Sequence, residues 1–204
     1  MAFEAMELVG GRPALDFTNT TSGRRTSTPH ERLHAYSDLV EWCVGAGLFG
    51  PTEAGRLVAE AGRRPEAARA ALERALALRE AIYGIFVAAS AGAAPDPARL
   101  ETLNAVLAEG MARRRLCPSP SAGGCCWTWA GEPDDLDWML WPLAWSAAEL
   151  LTGGELDRVK SCGGETCDWL FLDVSKNRSR RWCDMRYCGN QAKARRHYHR
   201  SRGS

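Results

Sequence analysis

Cys162, Cys167, Cys183 and Cys188 are the residues whose type and spacing most openly invite chemistry. They are arranged C-x4-C-x15-C-x4-C. Two near pairs separated by a longer stretch suit a tetrahedral ion that takes two ligands from each of two turns. Gly163, Gly164 and Gly189 beside them let the backbone wrap closely around such an ion. A site of four thiolates has no open coordination position, so it is structural rather than catalytic. Disulfides would satisfy the pairing but suit an oxidising compartment, and a redox pair would normally read CxxC. An iron–sulfur cluster also takes four thiolates, with different common spacings, and His197 or His199 could replace one cysteine. One structural zinc ion is the favoured reading. In so short a segment the binding free energy of the ion doubles as folding free energy. Cys183→Ser is therefore expected to unfold the C-terminal module and leave the rest folded.

Positive charge surrounds these cysteines. The formal net charge is only +1, yet Arg158–Ser204 holds twelve Lys/Arg against four acids, while the preceding part holds fourteen against twenty-one. The C-terminal part thus carries +8 and the remainder −7. An acidic body with a basic tail points to a polyanionic partner. Lys176, Arg178, Arg180 and Arg181 lie between the cysteine pairs. After Cys188, "GNQAKARRHYHR" reads as a helix with Lys193, Arg196, His197 and Arg200 on one stripe and Arg195 on another face. Like charges on one stripe cost stability unless a polyanion offsets them. A solvated terminal helix is the plainer alternative.

The elements that must carry this module are mostly helical. "STPHE" predicts a helix start, with Thr28 as N-cap, Pro29 at N1 and Glu31 closing a capping box. Leu33, Tyr36, Leu39, Val40, Cys43 and Val44 then form an apolar stripe that stops near Gly47. A shorter helix follows from Thr52, and after Pro65 comes the longest periodic run, through Leu72, Ala75, Leu76, Ile82, Tyr83, Phe86 and Val87. Leu100 to Met111 predicts another helix, the stretch around Trp127 and Trp129 a small hairpin, and "WPLAWSAAELL" a last body helix with Pro142 near its start. "WLFLD" reads as a strand packed beside the metal and against the body. The expected fold is mainly α: a helical N-terminal domain with a small β-hairpin, over 1–156, then a small four-cysteine zinc-finger module ending in a helix, over 157–204.

Other residues invite weaker readings. Arg79 interrupts the apolar stripe of the long helix, where its stem would pack and its head reach water or Glu80. The bolder reading joins Arg79 to Asp16, Asn19 and Thr20 of "LDFTNT" as a small-ligand site. Turn-making and capping are the ordinary roles of that stretch. The tryptophans between 127 and 145 suit core packing or, less simply, a pocket wall. Cys43, Cys117, Cys125 and Cys126 lack ligand-like spacing and read as small buried hydrophobes. His30 and His34 suit a solvated face. No poised nucleophile or acid–base pair is evident, so the chain is not read as an enzyme. No apolar run reaches membrane-spanning length and the N-terminus does not read as a signal peptide, which implies a cytoplasmic protein.

The segment "CDWLFLDVSKNRSRRWCDMRYCGNQAKARRHYHR" resembles the bacterial CGNR-type zinc finger. "GGRPALDFTNT", "ALALREAIYGIF" and "WPLAWSAAELL" resemble the helical ABATE domain that precedes that finger. The resemblance covers nearly the whole chain and implies a stress-induced transcription regulator whose finger binds DNA. It places zinc ligands on Cys162, Cys167, Cys183 and Cys188, and the signature tetrapeptide on Cys188, Gly189, Asn190 and Gln191. Gln191 departs from the family's arginine, losing a charge and a bidentate guanidinium while keeping the capacity to read an adenine edge. Asn190 either contacts a base or caps the helix. The body would then sense a small-molecule effector or form a homodimer. An RNA-binding or a protein-interaction module is the alternative for the same charge.

Overall fold

Each helix-forming run carries an apolar face that only a shared core can hide. The computed structural model, which describes residues 6–119, 123–130 and 135–202, shows how they share one. Helix α1 (Pro13–Thr18) starts on a proline whose fixed φ suits N1, and it buries Ala14, Leu15 and Phe17 completely. After a two-residue ribbon, β1 (Thr21–Ser22) with β2 (His30–Glu31), come α2 (Tyr36–Gly45) and α3 (Pro51–Arg63). The long α4 (Pro65–Ser90) is the central element and touches α1, α2, α3, α5 (Pro97–Arg113) and α6 (Leu140–Thr152). Between α5 and α6 stands an antiparallel hairpin, β3 (Arg114–Pro118) with β4 (Cys125–Trp129). Pro142 lies in the first turn of α6, where its missing N–H costs nothing.

The finger follows as β5 (Val159–Ser161), β6 (Leu170–Leu172) and α7 (Asn190–Arg202). β5 and β6 pair antiparallel, Val159 opposite Leu172 and Ser161 opposite Leu170. The strand period of two divides this hairpin between two cores. Val159, Leu170 and Leu172 join the main helical core, while Phe171 faces a smaller cluster with Cys162 and Cys183. The finger's sheet is thus one wall of the body. Among the described residues no helix is long and apolar enough to cross a membrane.

Three expectations are corrected. The helix predicted from Thr28 begins only at Tyr36, where the Asp38 carboxylate accepts the backbone N–H groups of His34 and Ala35. Glu31 is no capping residue. It sits in β2, and its carboxylate is drawn to Arg79, a stronger partner than an exposed N-cap. Nor are the non-ligand cysteines uniformly buried: Cys43 is, Cys125 is exposed, and Cys117 and Cys126 are half-buried on the hairpin. The tryptophans also divide. Trp141 is buried, Trp127 is 57% exposed, and the Arg114 guanidinium lies over Trp129 at 4.3 Å and Trp145 at 4.1 Å. That stack ties the hairpin to α6.

Candidate metal centre and nucleic-acid interface

Cys162 follows β5, Cys167 precedes β6, Cys183 ends the basic loop and Cys188 lies in a tight π-type turn, Met185–Gly189, that leads into α7. The four sulfurs lie within 4.8 Å of one another. Cys167 and Cys188 each stand 3.7 Å from Cys183. A tetrahedron with Zn–S bonds of about 2.3 Å has edges of about 3.8 Å, so the donor set fits zinc. Backbone N–H groups of Gly164 and Cys183 donate to the Cys162 sulfur at 3.4 and 3.3 Å, as expected around a thiolate. Hydrogen bonds from the Cys167 and Cys183 thiols hold Cys162 far below the usual thiol range. The other three thiols are pushed above it, Cys167 and Cys183 chiefly by their bonds to Cys162 and Cys188 chiefly by burial. Four crowded thiolates need a cation to coexist, and zinc is what these residues would hold. Gly164 makes the crowding possible, since a Cβ there would stand 2.9 Å from Cβ of Cys167 and 3.3 Å from the Cys188 sulfur.

The polar group of "LDFTNT" fastens this centre to the body. The Asn19 side-chain amide pairs with the outer edge of β6, donating to Leu170 O and accepting from Leu170 N, both at 2.9 Å. Two residues on, Leu172 N–H donates to Gly10 O at 2.8 Å, and Gly10 N–H donates to the Asp16 carboxylate at 2.7 Å. The Trp169 indole N–H reaches Thr21 O at 3.1 Å. The backbone N–H of Arg24 bonds the carboxylate of Asp168, a fully buried acid beside the ligand Cys167.

Arg79 heads a second set of ties. It is 4% exposed and grips Glu31 through both terminal nitrogens, at 2.8 and 2.6 Å. It also donates to Thr20 Oγ at 3.1 Å and to Glu80 at 3.0 Å. Glu80 in turn holds the Arg24 guanidinium, which lies 3.9 Å over the Tyr83 ring and 3.8 Å from Asp168. Asp16, Asn19, Thr20 and Arg79 are therefore buried and occupied with internal partners rather than grouped around an open space. From sequence Glu31 was expected only as a capping residue and Glu80 as a partner for Arg79. Arg24 and Asp168 were not singled out, and of these two only Asp168, directly after a metal-ligand cysteine, offered a signal.

Burial pushes the Asp16 carboxyl up to about 6, against the opposing pull of N–H groups at Gly10, Gly11 and Val9. An unfolded aspartate titrates near about 3.9, so between the two values the folded protein holds the extra proton. Stability from this residue is thus greatest below the unfolded value and falls as pH rises to about 6. The loss is on the order of 3 kcal/mol. The stability of the wild type relative to Asp16→Asn, measured by urea unfolding from pH 4 to 7, should show this decline; a constant difference would mean the carboxyl is not protonated in the folded state.

The basic residues take different positions. Lys176, Arg181 and Lys193 are exposed. Arg178, at the loop tip with φ +50°, pairs with Asp157, and Arg195 pairs with Glu165; both pairs are solvent-exposed. Arg180 turns inward: its guanidinium stacks 4.4 Å from Phe171 and donates to the carbonyls of Trp182, at 3.0 Å, and Cys183. Buried Asp173 shapes the loop from beneath, accepting from Lys160 at 2.6 Å and from the backbone N–H of Ser175 and Arg180, both at 3.0 Å. Burial works against its charge, but these donors outweigh it and hold the carboxyl well below the usual range. Asn190 opens α7 and donates its amide to Arg186 O at 3.0 Å, a tie back to the preceding turn and not the expected cap, in which the side-chain oxygen would accept a first-turn N–H. Arg196, His197 and Arg200 lie on α7, and their side chains fall outside the described residues. Arg186, not singled out from sequence, is exposed and pairs with Asp184 at 2.8 Å and with Glu7.

Two clefts flank the metal knuckles. One of about 430 Å³ is lined by Arg181 and Trp182 from the loop, by Gln191 and Arg195 from α7, and by Glu165. The other, about 630 Å³, runs along the seam between finger and body past Thr26, His30, Arg32, Trp169, Tyr187 and Gln191.

A closed four-thiolate centre on a hairpin and a helix, set against a mostly helical body, defines a zinc-finger protein with an attached helical domain. Residues 11–154 match the family model ABATE, described as "Putative stress-induced transcription regulator". Residues 158–201 match the CGNR zinc finger. The chain belongs to the ABATE family, and its CGNR finger positions four cysteines to coordinate one zinc ion. Neither description is that of an enzyme. No curated protein matches the chain.

Proposed function

We propose that this protein regulates transcription by binding DNA through residues 157–204, with zinc fixing the geometry of the contact surface. The observation that carries the reading is convergence: Arg181 from the loop and Gln191 and Arg195 from α7 line one cleft against the metal knuckles. Loop and helix are distant in sequence, and the Cys183 and Cys188 ligands set the angle between them. The Arg195–Glu165 and Arg178–Asp157 pairs are exposed, where such pairs contribute little, so a phosphate can replace either carboxylate. Lys176, Arg178, Arg181, Lys193 and Arg195 supply phosphate contacts, and Gln191 is placed to read a base edge. Arg180 serves the scaffold instead, because its donors are spent on backbone carbonyls.

The helical body then acts as the sensing part, with the seam cleft rather than "LDFTNT" as its ligand site. Arg32 lines that cleft beside Trp169, and its Nη1 is buried without a hydrogen-bond partner among the described residues. A small acidic effector would satisfy it. Occupying the seam would bias how the finger sits on the body.

The test is capture of promoter fragments from the source genome by zinc-loaded protein, against random duplex and single-stranded RNA at several salt concentrations. Selective, salt-sensitive capture of particular duplexes is expected. Arg181→Ala with Arg195→Ala should weaken binding to all duplexes and lower the log–log salt slope by about 0.9 for each lost phosphate contact. Preference for RNA, or equal and salt-insensitive binding to everything, would overturn the DNA reading.

A further inference from the structure

Outside the metal centre, the β3–β4 hairpin brings together two thiols that sequence spacing did not connect. Cys117 and Cys126 stand directly opposite each other, with their sulfurs 2.9 Å apart. The Cys117 thiol also reaches Cys126 O at 3.4 Å. Ser119 N–H donates to Gly124 O at 3.0 Å and Ala130 N–H to Arg113 O at 2.7 Å. These bonds fall two and four residues from the cysteine pair, which puts Cys117 and Cys126 at a hydrogen-bonded position of the ladder. Opposed Cα atoms at such positions lie about 5.5 Å apart, inside the span that a disulfide bridges. Little backbone movement is needed.

Access and competition favour the same pair. The hairpin stands at the surface, with its neighbouring cross-strand pair, Leu116 and Trp127, 62% and 57% exposed. Cys117 and Cys126 are half-buried, so a small oxidant reaches them, while each sulfur keeps the other as its nearest resolving group. Cys125 is exposed but alternates to the opposite face of the strand. The four ligand cysteines are committed to zinc, which draws electron density from their thiolates.

We propose that Cys117 and Cys126 form a thiol-oxidation site, in which a hydroperoxide converts the pair to a cross-strand disulfide that thiols reverse. One thiolate attacks the peroxide O–O bond, forming S–O and releasing hydroxide, or alkoxide from an organic hydroperoxide. The second sulfur then attacks the sulfenic sulfur, the S–S bond forms and the S–O bond breaks, releasing water. In sum the two thiols lose two electrons and two protons, and hydrogen peroxide becomes two waters. Thiol–disulfide exchange with a small dithiol restores the pair.

The experiment treats full-length, zinc-loaded protein with stoichiometric hydrogen peroxide, alkylates free thiols and digests with trypsin. Leu116–Arg158 contains no internal Lys or Arg, so one peptide carries Cys117, Cys125 and Cys126. The expected product is that peptide lighter by two hydrogen atoms, with one alkylated cysteine, restored by dithiothreitol, while zinc stays bound. Cys125→Ser should keep the bridge, and Cys117→Ser and Cys126→Ser should each abolish it. Release of zinc before the hairpin peptide changes would overturn the proposal. So would an unmodified peptide, or a bridge that depends on Cys125.

Discussion

Cys183→Ser should strip zinc from the protein and lower the melting temperature of the whole chain, not of its C-terminal part alone. Cys183 lies 3.7 Å from the sulfurs of both Cys167 and Cys188 and shares a cluster with Phe171, so its loss opens both coordination and packing. Structural zinc contributes about 10–16 kcal/mol of apparent binding free energy, comparable to the full stability of a domain. Read as sequence, the finger looked separable and the body was expected to stay unaffected. The structure argues otherwise, because Val159, Leu170 and Leu172 sit in the main core and β6 completes its edge on Asn19 and Gly10. Exposing Leu170 and Leu172 alone costs roughly 3–6 kcal/mol. In a chain of this size that lowers the melting temperature by about 10 °C or more. Metal content and calorimetry on the same sample check this, with zinc falling from one ion per chain to none. A body transition unchanged in the zinc-free variant would show that the two parts fold independently.

Arg79→Ala should cost nearly as much, about 3–5 kcal/mol, through a different mechanism. The guanidinium is almost fully buried and pairs with both Glu31 and Glu80, the second of which it shares with Arg24. Removing it leaves Glu31 near the core with, among the described residues, only the backbone N–H groups of Arg32 and Leu33, both at 2.9 Å, as partners. Arg79 and the other donors to Glu31 outweigh burial and hold that carboxyl below its usual range, a balance that depends on the arginine. Urea unfolding of Arg79→Ala, Glu31→Gln and the double variant provides the measurement. The double variant should be less destabilised than the sum of the singles by at least about 1 kcal/mol, because the charge exposed by one change is removed by the other. Strict additivity would mean that Arg79 stabilises by packing alone.

The metal centre was legible because ligand chemistry constrains both residue type and spacing, and the C-x4-C pairs met those constraints in one short segment. The long helices were legible for a similar reason: Leu72, Ala75, Ile82 and Phe86 repeat at the helical period and are buried on α4. The start of α2 was misplaced because Thr28, Pro29 and Glu31 satisfied a local capping rule, while the carboxylate of Glu31 had a stronger partner in Arg79, forty-eight positions away. A capping bond to an exposed N–H is weaker than a bidentate ion pair shielded from water.

By itself, then, the sequence determined the helical body, the hairpin, the four-thiolate centre and the charge asymmetry, all of which depend on neighbours within a few turns of chain. Tertiary structure alone decided that Asn19 pairs with Leu170, that Arg180 faces inward and Lys176 outward, that Arg181 meets Arg195 across one cleft, and that Cys117 faces Cys126. Local periodicity shows which face of an element is apolar. It carries no information on which distant backbone or charge that face will meet, since that depends on how whole elements pack.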